Sequence, residues 1–267
     1  MKDFKTLIFE EPEPGLALVT LNRPDSLNAI DVAMLEDFDK LFETLTSDDT
    51  IKVLILTGAG RGFCSGADLQ AATALKDAKP FSDPEVFLKI VQERYASIIL
   101  NLRRIPQPVI AAVNGPAAGG GLCLALGSDI RIAAPDSFFM ASFINIGLTG
   151  GELGTTYFLP RLVGLSNASD IVMTGRKVPA DEALKMGLVS KVVPADELVD
   201  TAIATGKTLL QKNPGALKLT KYALNQNVNA PSLEAAIDLE NRNQTIMVFS
   251  GAFFELIKSF AGGNDEK

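Results

Sequence analysis

The sequence predicts a mixed α/β domain that ends in an all-helical region. Three short apolar runs, Leu16–Leu21, Val53–Thr57 and Val109–Val113, have the length and composition of buried strands. Val32–Leu45 lies between the first two runs and places apolar residues every three or four positions, as an amphipathic helix does. Strands that alternate with helices in this way are typical of a mixed α/β fold.

The C-terminal part of the chain differs from the rest because its helical patterns have no strand between them. These patterns cover Ala195–Lys212, Pro214–Asn227 and Ser232–Phe260. We therefore expect a core domain over residues 1–195, which holds the site, and a helical oligomerisation region over residues 196–267. The last pattern has a long apolar face, which must pack against the core or against another subunit. That face is formed by Ile246, Val248, Phe249, Phe253, Phe254, Leu256, Ile257 and Phe260.

The middle of the chain supplies the other predicted elements. They are, in chain order, a long helix at Glu85–Arg104, a strand-like run at Phe138–Ile146, a glycine-rich loop at Gly147–Gly154, short helices at Ser166–Thr174 and Ala180–Met186, and a strand at Leu188–Val193. Pro106 is expected to stop the long helix, since proline and the residue before it disfavour helical backbone. Gly187 is placed to end the last short helix in the left-handed conformation.

Composition excludes several classes of protein. The net charge is −7 and no basic cluster is interleaved with aromatic residues, so a nucleic-acid partner is not expected. No apolar run reaches membrane-spanning length, and charges throughout the first dozen residues leave no signal-peptide core. The two cysteines, Cys64 and Cys123, lie in apolar or glycine-rich segments and are expected to be reduced thiols. These features predict a cytoplasmic protein with no membrane partner.

The chain contains no histidine, which removes whole classes of mechanism. Nucleophiles activated by histidine are impossible, and a typical zinc site would have to use the two cysteines and carboxylates, so no metal site is expected. Any proton transfer must therefore use Asp, Glu, Lys, Tyr, Cys or water.

The segment Pro108–Ala134 carries the strongest local signal. Its apolar strand Val109–Val113 meets an Asn-Gly turn, three consecutive glycines at Gly119–Gly121 open an apolar helix, and a β-branched run follows. Glycines weaken the start of a helix, but they let a ligand approach the main-chain N–H groups closely. Such a helix start can stabilise a negative charge that develops during a reaction.

A second loop has the same plan. A buried strand ends at Leu56-Thr57, and the glycine-rich segment Gly58–Leu69 follows it. If the two strands are neighbours, the two loops can deliver main-chain amides to a common point. Two amides about 3 Å from one oxygen form an oxyanion hole.

These loops resemble the two signature loops of the enoyl-CoA hydratase/isomerase (crotonase) family. The matching strings are RGFCSGADL at Arg61–Leu69 and NGPAAGGG at Asn114–Gly121. Similar strings elsewhere extend the resemblance over nearly the whole chain, among them LPRLVG at Leu159–Gly164 and MGLVSKVVP at Met186–Pro194. The resemblance implies a spiral of ββα units with a C-terminal helical extension. It also implies assembly as a homotrimer or a dimer of trimers.

The resemblance further implies the site. The main-chain N–H groups of Ala67 and Gly120 would form the oxyanion hole and hold the thioester carbonyl of an acyl-CoA substrate. Coenzyme A would enter as part of that substrate, with no permanently bound cofactor. The residues expected to contact the coenzyme A or the acyl group are Ser26, Leu27, Ala29, Ser65, Gly66, Asp68, Leu69, Gly119 and Phe143.

The chain departs from the family's hydratases at their two catalytic glutamates. Those positions hold Cys123 and Phe143, the latter expected on the strand before the next glycine loop. Glu152 remains nearby, in a Glu-x-Gly-Thr-Thr string similar to that of 3-enoyl-CoA to 2-enoyl-CoA isomerases. A single carboxylate suffices for a 1,3-proton shift, and burial would raise its pKa toward the useful range.

We therefore expect Glu152 to be the acid/base of an enoyl-CoA isomerase. Hydration by Glu152 and a water molecule is the alternative within the same class. A catalytically silent acyl-CoA-binding subunit is the alternative of another class. The plainest structural alternative is that Glu152 is a solvent-facing carboxylate in a glycine turn.

Overall fold

The structure is a computed structural model that describes residues 3–70, 83–251, 253–254 and 257–258. The chain divides into two compact units between Lys207 and Thr208. The predicted boundary, where the strand patterns end, lies near residue 195 instead. That residues 196–267 mediate subunit assembly stays a prediction.

The strands of the described residues all lie in the first unit. They are β1 (Leu7–Glu13), β2 (Leu16–Leu21), β3 (Val53–Gly58), β4 (Val109–Val113), β5 (Ala117–Ala118), β6 (Ile130–Ala133), β7 (Phe138–Met140), β8 (Val178–Pro179) and β9 (Lys191–Val192). A six-stranded sheet has the order β1-β2-β3-β4-β6-β9, and a three-stranded sheet has the order β5-β7-β8. In the larger sheet β1 and β2 are antiparallel, and every later pair is parallel.

The helices of the described residues begin and end as follows. They are α1 (Val32–Ser47), α2 (Pro84–Phe87), α3 (Glu93–Arg104), α4 (Gly120–Gly127), α5 (Thr155–Val163), α6 (Leu165–Thr174), α7 (Ala180–Lys185), α8 (Leu198–Leu210), α9 (Pro214–Asn227) and α10 (Leu233–Phe249). A π-helical turn, Leu88–Gln92, joins α2 to α3. Short 3₁₀ turns occupy Pro24–Ser26, Ser142–Ile146 and Ala195–Glu197.

Apolar burial and capping explain α1. Asp31 caps the helix by accepting a hydrogen bond from the main-chain N–H of Met34 at 2.8 Å. Phe38 and Leu41 lie on its inner face and are fully buried in the core beneath the larger sheet. Asp37 is also buried, where its carboxylate accepts the main-chain N–H of Thr6 at 2.6 Å.

Helix α4 runs through the centre of the first unit. Every residue from Gly120 to Gly127 is buried, as expected for a helix that is apolar all round. Its start requires glycine, because a Cβ atom on Gly121 would lie 2.0 Å from the carbonyl oxygen of Cys64. This close approach fixes the start of α4 against the loop that follows β3.

The second unit contains the helices α9 and α10. Asn213 and Ser232 cap these helices through their side chains, at 3.1 and 3.2 Å from the amides that they accept. A cavity of about 380 Å³ lies within this unit. Its lining residues are Ala216, Leu219, Thr220, Ala223, Leu224, Asn227, Glu240, Asn243, Gln244 and Met247. In the described part of the chain, no helix is both long and apolar enough to cross a membrane.

The predicted mixed α/β class with a helical C-terminal region is confirmed. Two predicted strands were too long. Phe138–Ile146 is a strand only to Met140 and then a 3₁₀ turn, and Leu188–Val193 pairs only at Lys191–Val192. Of the apolar residues that suggested longer strands, Phe143, Leu188 and Val189 are buried by packing instead of by strand pairing, whereas Ile144 and Ile146 are exposed. Of the predicted helix Ser232–Phe260, the described helix ends at Phe249, and Leu256 and Phe260 lie outside the described residues.

Candidate active site

The strands that precede the two glycine-rich loops are neighbours. β3 and β4 are parallel and pair directly, with Ile55 opposite Ile110, so both loops leave the same edge of the sheet. Hydrogen bonds then join the loops. The N–H groups of Phe63 and Cys64 donate to the carbonyl of Pro116 at 3.1 and 3.0 Å. The two strands are therefore neighbours, as a shared oxyanion hole requires.

The loops bring Ala67 and Gly120 together. A Cβ atom on Gly66 would lie 3.0 Å from the nitrogen of Gly120, and a Cβ atom on Gly120 would lie 3.9 Å from the nitrogen of Ala67. Gly66 has a φ of +98° and Gly119 a φ of +52°, which are conformations that favour glycine. The two predicted oxyanion-hole amides thus lie side by side.

The two amides are also available to a ligand. Within the described residues, neither the N–H of Ala67 nor that of Gly120 makes a hydrogen bond. Their neighbours are used, since the N–H of Asp68 donates to Ile30 and the N–H of Gly119 donates to Met140, both at 3.0 Å. Unpaired main-chain donors at the start of a buried helix are suited to holding an anionic oxygen.

A third loop, Pro24–Ile30, packs against the first. Leu27 and Asn28 both have positive φ, +53° and +57°, which is uncommon for residues other than glycine. The carbonyls of Ser26 and Leu27 accept hydrogen bonds from the side chain and the N–H of Ser65, at 3.1 and 3.0 Å. The predicted coenzyme A residues of the two segments are thereby brought together.

The side chain of Asn28 holds the Pro24–Ile30 loop in place. Asn28 was not among the predicted site residues. It is fully buried, accepts the N–H of Arg23 at 2.8 Å and donates to the carbonyls of Ala59 and Gly62 at 3.0 and 2.8 Å. Every polar atom of its side chain is therefore used within the protein.

Arg23 joins the same loops and was also missed. Its guanidinium lies 2.9 Å from Asp68 and 3.3 Å from Asp31, and it donates to the carbonyl of Ala29. Asp68 was predicted to contact coenzyme A, and the structure shows its carboxylate paired with Arg23. Leu69, predicted for the same role, is half exposed. Arg23 lies just after the strand Leu16–Leu21, but the sequence pattern gives no sign of its two acidic partners.

We predict that Arg23→Met destabilises the protein by about 1–3 kcal/mol, because two partly buried carboxylates lose the cation that they share. Thermal or urea unfolding of the variant measures this change. Arg94→Met is the matched control, because Arg94 lies 3.3 Å from Asp39 in an exposed pair and should contribute less than about 1 kcal/mol. Equal stabilities of the two variants would contradict the role given to Arg23.

The main chain of Glu152 contacts α4 one helical turn after Gly120. The thiol of Cys123, three residues after Gly120, donates to the carbonyl of Glu152 at 3.7 Å. Thr155 fixes the turn, since its hydroxyl accepts the N–H of Glu152 at 3.1 Å and donates to the carbonyl of Gly150 at 2.7 Å. The next residue, Leu153, has a φ of +47°. Unfavourable backbone of this kind often occurs at functional sites.

Burial raises the pKa of the Glu152 carboxyl above its ordinary value, although a hydrogen bond from Gln92 acts in the opposite direction. Gln92 is the last residue of the π-helical turn, and its side-chain amide donates to Oε1 of Glu152. It lies far from Glu152 in the sequence, and no pattern in the sequence predicts the pairing.

The thiols of Cys64 and Cys123 and the hydroxyl of Tyr95 do not suit proton transfer at neutral pH. Burial raises the pKa of Cys64 to about 12 and that of Cys123 well above its ordinary value. Tyr95 donates to the carbonyl of Ile30 at 2.9 Å, and burial raises its pKa to about 12. Both thiols are free and buried, so they serve as packing groups in this core.

Phe143 lies beside Gly119, where a Cβ atom on the glycine would be 3.6 Å from the phenyl ring. The prediction that Phe143 sits on a strand is wrong, because it belongs to the 3₁₀ turn after β7. It is buried all the same and forms part of the wall near the amide pair. Among the described residues, no three His, Cys, Asp or Glu side chains form a group that could hold a metal ion.

Comparisons of the sequence and of the structure with known proteins find the same group of enzymes. A family model described as enoyl-CoA hydratase/isomerase matches residues 11–261. The "Probable enoyl-CoA hydratase echA12" of Mycobacterium bovis is 42% identical over 93% of this chain and 87% of its own length. The solved structure of a monofunctional enoyl CoA isomerase from M. smegmatis is 41% identical, has a TM-score of 0.73 and covers 87% of this chain and 98% of its own. An enoyl-CoA hydratase from Bacillus anthracis is 29% identical, with a TM-score of 0.89 and 97% of each chain covered.

Proposed function

The chain belongs to the enoyl-CoA hydratase/isomerase family, and we propose that it isomerises the double bond of an enoyl-CoA with Glu152 as the acid/base. In this reaction the thioester oxygen sits between the N–H groups of Ala67 and Gly120. Glu152 removes a proton from the α-carbon of a 3-enoyl thioester, and the electron pair spreads onto the thioester oxygen as a dienolate. The same carboxyl returns the proton to the γ-carbon, which leaves the conjugated 2-enoyl thioester.

The observation that carries this proposal is the place of Glu152 relative to the amide pair. Its carbonyl accepts the thiol of Cys123 at 3.7 Å, and Cys123 begins the turn of α4 that follows Gly120. This contact supports a carboxylate close enough to the amide pair to remove the α-proton, while the two amides hold the oxygen on which the negative charge develops. Cys123 and Phe143 stand where the resemblance places the two glutamates of the family's hydratases, and neither can take over their roles.

The relatives support both reactions of the family. The similar chain of M. smegmatis is described as a monofunctional enoyl CoA isomerase, whereas the M. bovis relative is named a probable hydratase. We favour isomerisation because one carboxylate can complete it, whereas hydration must also activate water. Hydration by Glu152 and water is the competing outcome of the experiment.

The experiment supplies two substrates to the purified protein. A 3-enoyl-CoA should give a rise in the absorbance of the conjugated 2-enoyl thioester. Crotonyl-CoA should lose its absorbance only slowly, because hydration is expected to be the weaker reaction. Fast hydration without isomerisation would contradict the proposal, and so would tight binding of both thioesters with no turnover.

The pH dependence follows from the raised pKa of Glu152. The carboxylate is the base, so activity is lost as the pH falls through the pKa of this group. Because burial raises that pKa, we expect kcat/KM to fall on the acidic side of its pH profile at a pH above the ordinary pKa of glutamic acid. Rates measured across the acidic range test this, with circular dichroism as the control for folding. Constant kcat/KM down to the ordinary pKa would contradict it.

Coenzyme A belongs to the substrate in this proposal, and no resident cofactor takes part. The segments Ser26–Ala29 and Ser65–Leu69 are proposed to hold it. Their mutual hydrogen bonds support this, because they form one continuous rim beside Gly120. The free thiols of Cys64 and Cys123 support a reducing compartment, which we propose is the cytoplasm.

We also propose a homotrimer or a dimer of trimers. Exposed apolar side chains on α10 and just beyond it support subunit contact. They include Ile246, Phe249, Phe253, Phe254 and Ile257, and Phe249 is 83% exposed. Light scattering coupled to size-exclusion chromatography measures the assembly, and a monomer at micromolar concentration would contradict it.

A further inference from the structure

The carboxylate of Glu152 is held asymmetrically. The side-chain amide of Gln92 donates to Oε1, whereas the described residues make no hydrogen bond to Oε2. The main chain of Glu152 is fixed by Thr155 and Cys123, so the remaining freedom lies in the torsions of its side chain. A single donor on one oxygen selects among the orientations that these torsions allow.

We propose that Gln92 is a positioning residue that holds Oε1 of Glu152 and leaves Oε2 to exchange the substrate proton. This inference rests on the proposed function, because it needs Glu152 as the acid/base. A carboxamide neither gains nor loses a proton near neutral pH, so Gln92 must act through Glu152. Correct orientation of a catalytic group can contribute a large factor to the rate of a reaction.

The place of Gln92 in the fold supports this role. It ends the π-helical turn Leu88–Gln92, and such turns within helices often occur at functional sites. The turn joins α2 to α3, whose last two turns are anchored in the core by Ile98 and Leu102. Gln92 is therefore presented by a packed helix.

The same hydrogen bond affects protonation. An amide donor stabilises the ionised carboxylate and lowers its pKa, against the effect of burial. The charge of Glu152 adds to the effect of burial on the Cys123 thiol of α4, whose raised pKa keeps it neutral. Loss of the Gln92 donor should therefore raise the pKa of Glu152.

The test replaces Gln92 by Met, which keeps the length of the side chain and removes the donor. We expect kcat for 3-enoyl-CoA isomerisation to fall about tenfold, with KM within about twofold. The acidic limb of the pH profile should move to higher pH. Lys89→Met is the matched control, because Lys89 lies on the same π turn, is exposed and pairs with Glu85. Its kcat and pH profile should match those of the wild type.

Two further measurements separate this inference from the proposed function. In the Glu152→Gln background, Gln92→Met should cause no additional loss of activity, because Gln92 acts only through the Glu152 carboxylate, which is already absent. The carboxyl pKa of Glu152, followed by ¹³C NMR in the resting protein, should rise in Gln92→Met without any turnover being measured. Gln92→Glu should raise it further, because two carboxyl groups would then share the site.

The outcomes are distinct. If Glu152→Gln abolishes activity but Gln92→Met and Gln92→Glu leave kcat, the acidic limb and the NMR pKa unchanged, this inference fails and the proposed function stands. If Glu152→Gln keeps full activity, the proposed function fails and the inference fails with it. A fall in kcat together with an upward move of the limb and of the NMR pKa supports both.

Discussion

Glu152→Gln is expected to lower kcat/KM at least about a hundredfold while the protein stays folded. The amide cannot accept the α-proton, but its oxygen can still accept the hydrogen bond that Gln92 donates in the wild type. The variant should therefore bind acyl-CoA with a Kd close to that of the wild type. Glu43→Gln, on the exposed face of α1, is the matched control and should keep full activity.

The same variant should not lose stability at neutral pH. Burial raises the pKa of Glu152 in the folded state above its value in the unfolded chain. The folded state then binds more protons between the two pKa values, so the contribution of this group to stability is lost as pH rises through the folded pKa. The neutral side-chain amide of the variant has no charge to desolvate, and we expect an equal or higher Tm at neutral pH. A lower Tm together with lost acyl-CoA binding would point to a structural role for Glu152.

Gly121→Ala is the second substitution for which we expect a large effect, here on both stability and activity. The new Cβ would meet the carbonyl oxygen of Cys64 at 2.0 Å and its carbonyl carbon at 2.6 Å, which are main-chain atoms that cannot rotate away. The loop that carries Ala67 must then move away from α4. We expect a loss of about 2–4 kcal/mol in the free energy of unfolding and a large loss of activity, since both amides must face one oxygen.

Gly127→Ala is the matched control in the same helix. A Cβ atom there would meet side-chain atoms of Ile99 and Leu102 at 3.3 and 3.5 Å, and these can adjust. The better helix propensity of alanine also offsets part of the crowding. We expect a change within about 1 kcal/mol. Urea unfolding of the two variants checks the contrast, and equal stabilities would contradict the tight contact between α4 and the first loop.

The sequence predicted those parts of the fold whose signals are local. Leu16–Leu21 and Pro214–Asn227 have the observed bounds because apolar runs and a proline at the helix start are local features. The two glycine-rich loops could be placed at one sheet edge because each follows a buried strand. The family resemblance supplied the pairing of Ala67 with Gly120, which spacing alone left conditional.

The parts that were missed depend on contacts between distant residues. Arg23 joins Asp68, and Gln92 joins Glu152, across long separations in sequence. β1 escaped prediction because its acidic residues give no regular apolar alternation, although pairing with β2 stabilises it. Phe143 was placed on a strand because its neighbours are apolar, but the chain turns after Met140.

The most direct test of the proposed oxyanion hole is a crystal structure with a bound acyl-CoA. The distances to measure are those from the thioester oxygen to the nitrogens of Ala67 and Gly120. We predict that both are about 3 Å and that Oε2 of Glu152 faces the α-carbon of the acyl group. A thioester oxygen beyond hydrogen-bond distance of either nitrogen would contradict the account, as would a carboxylate turned away from the acyl chain.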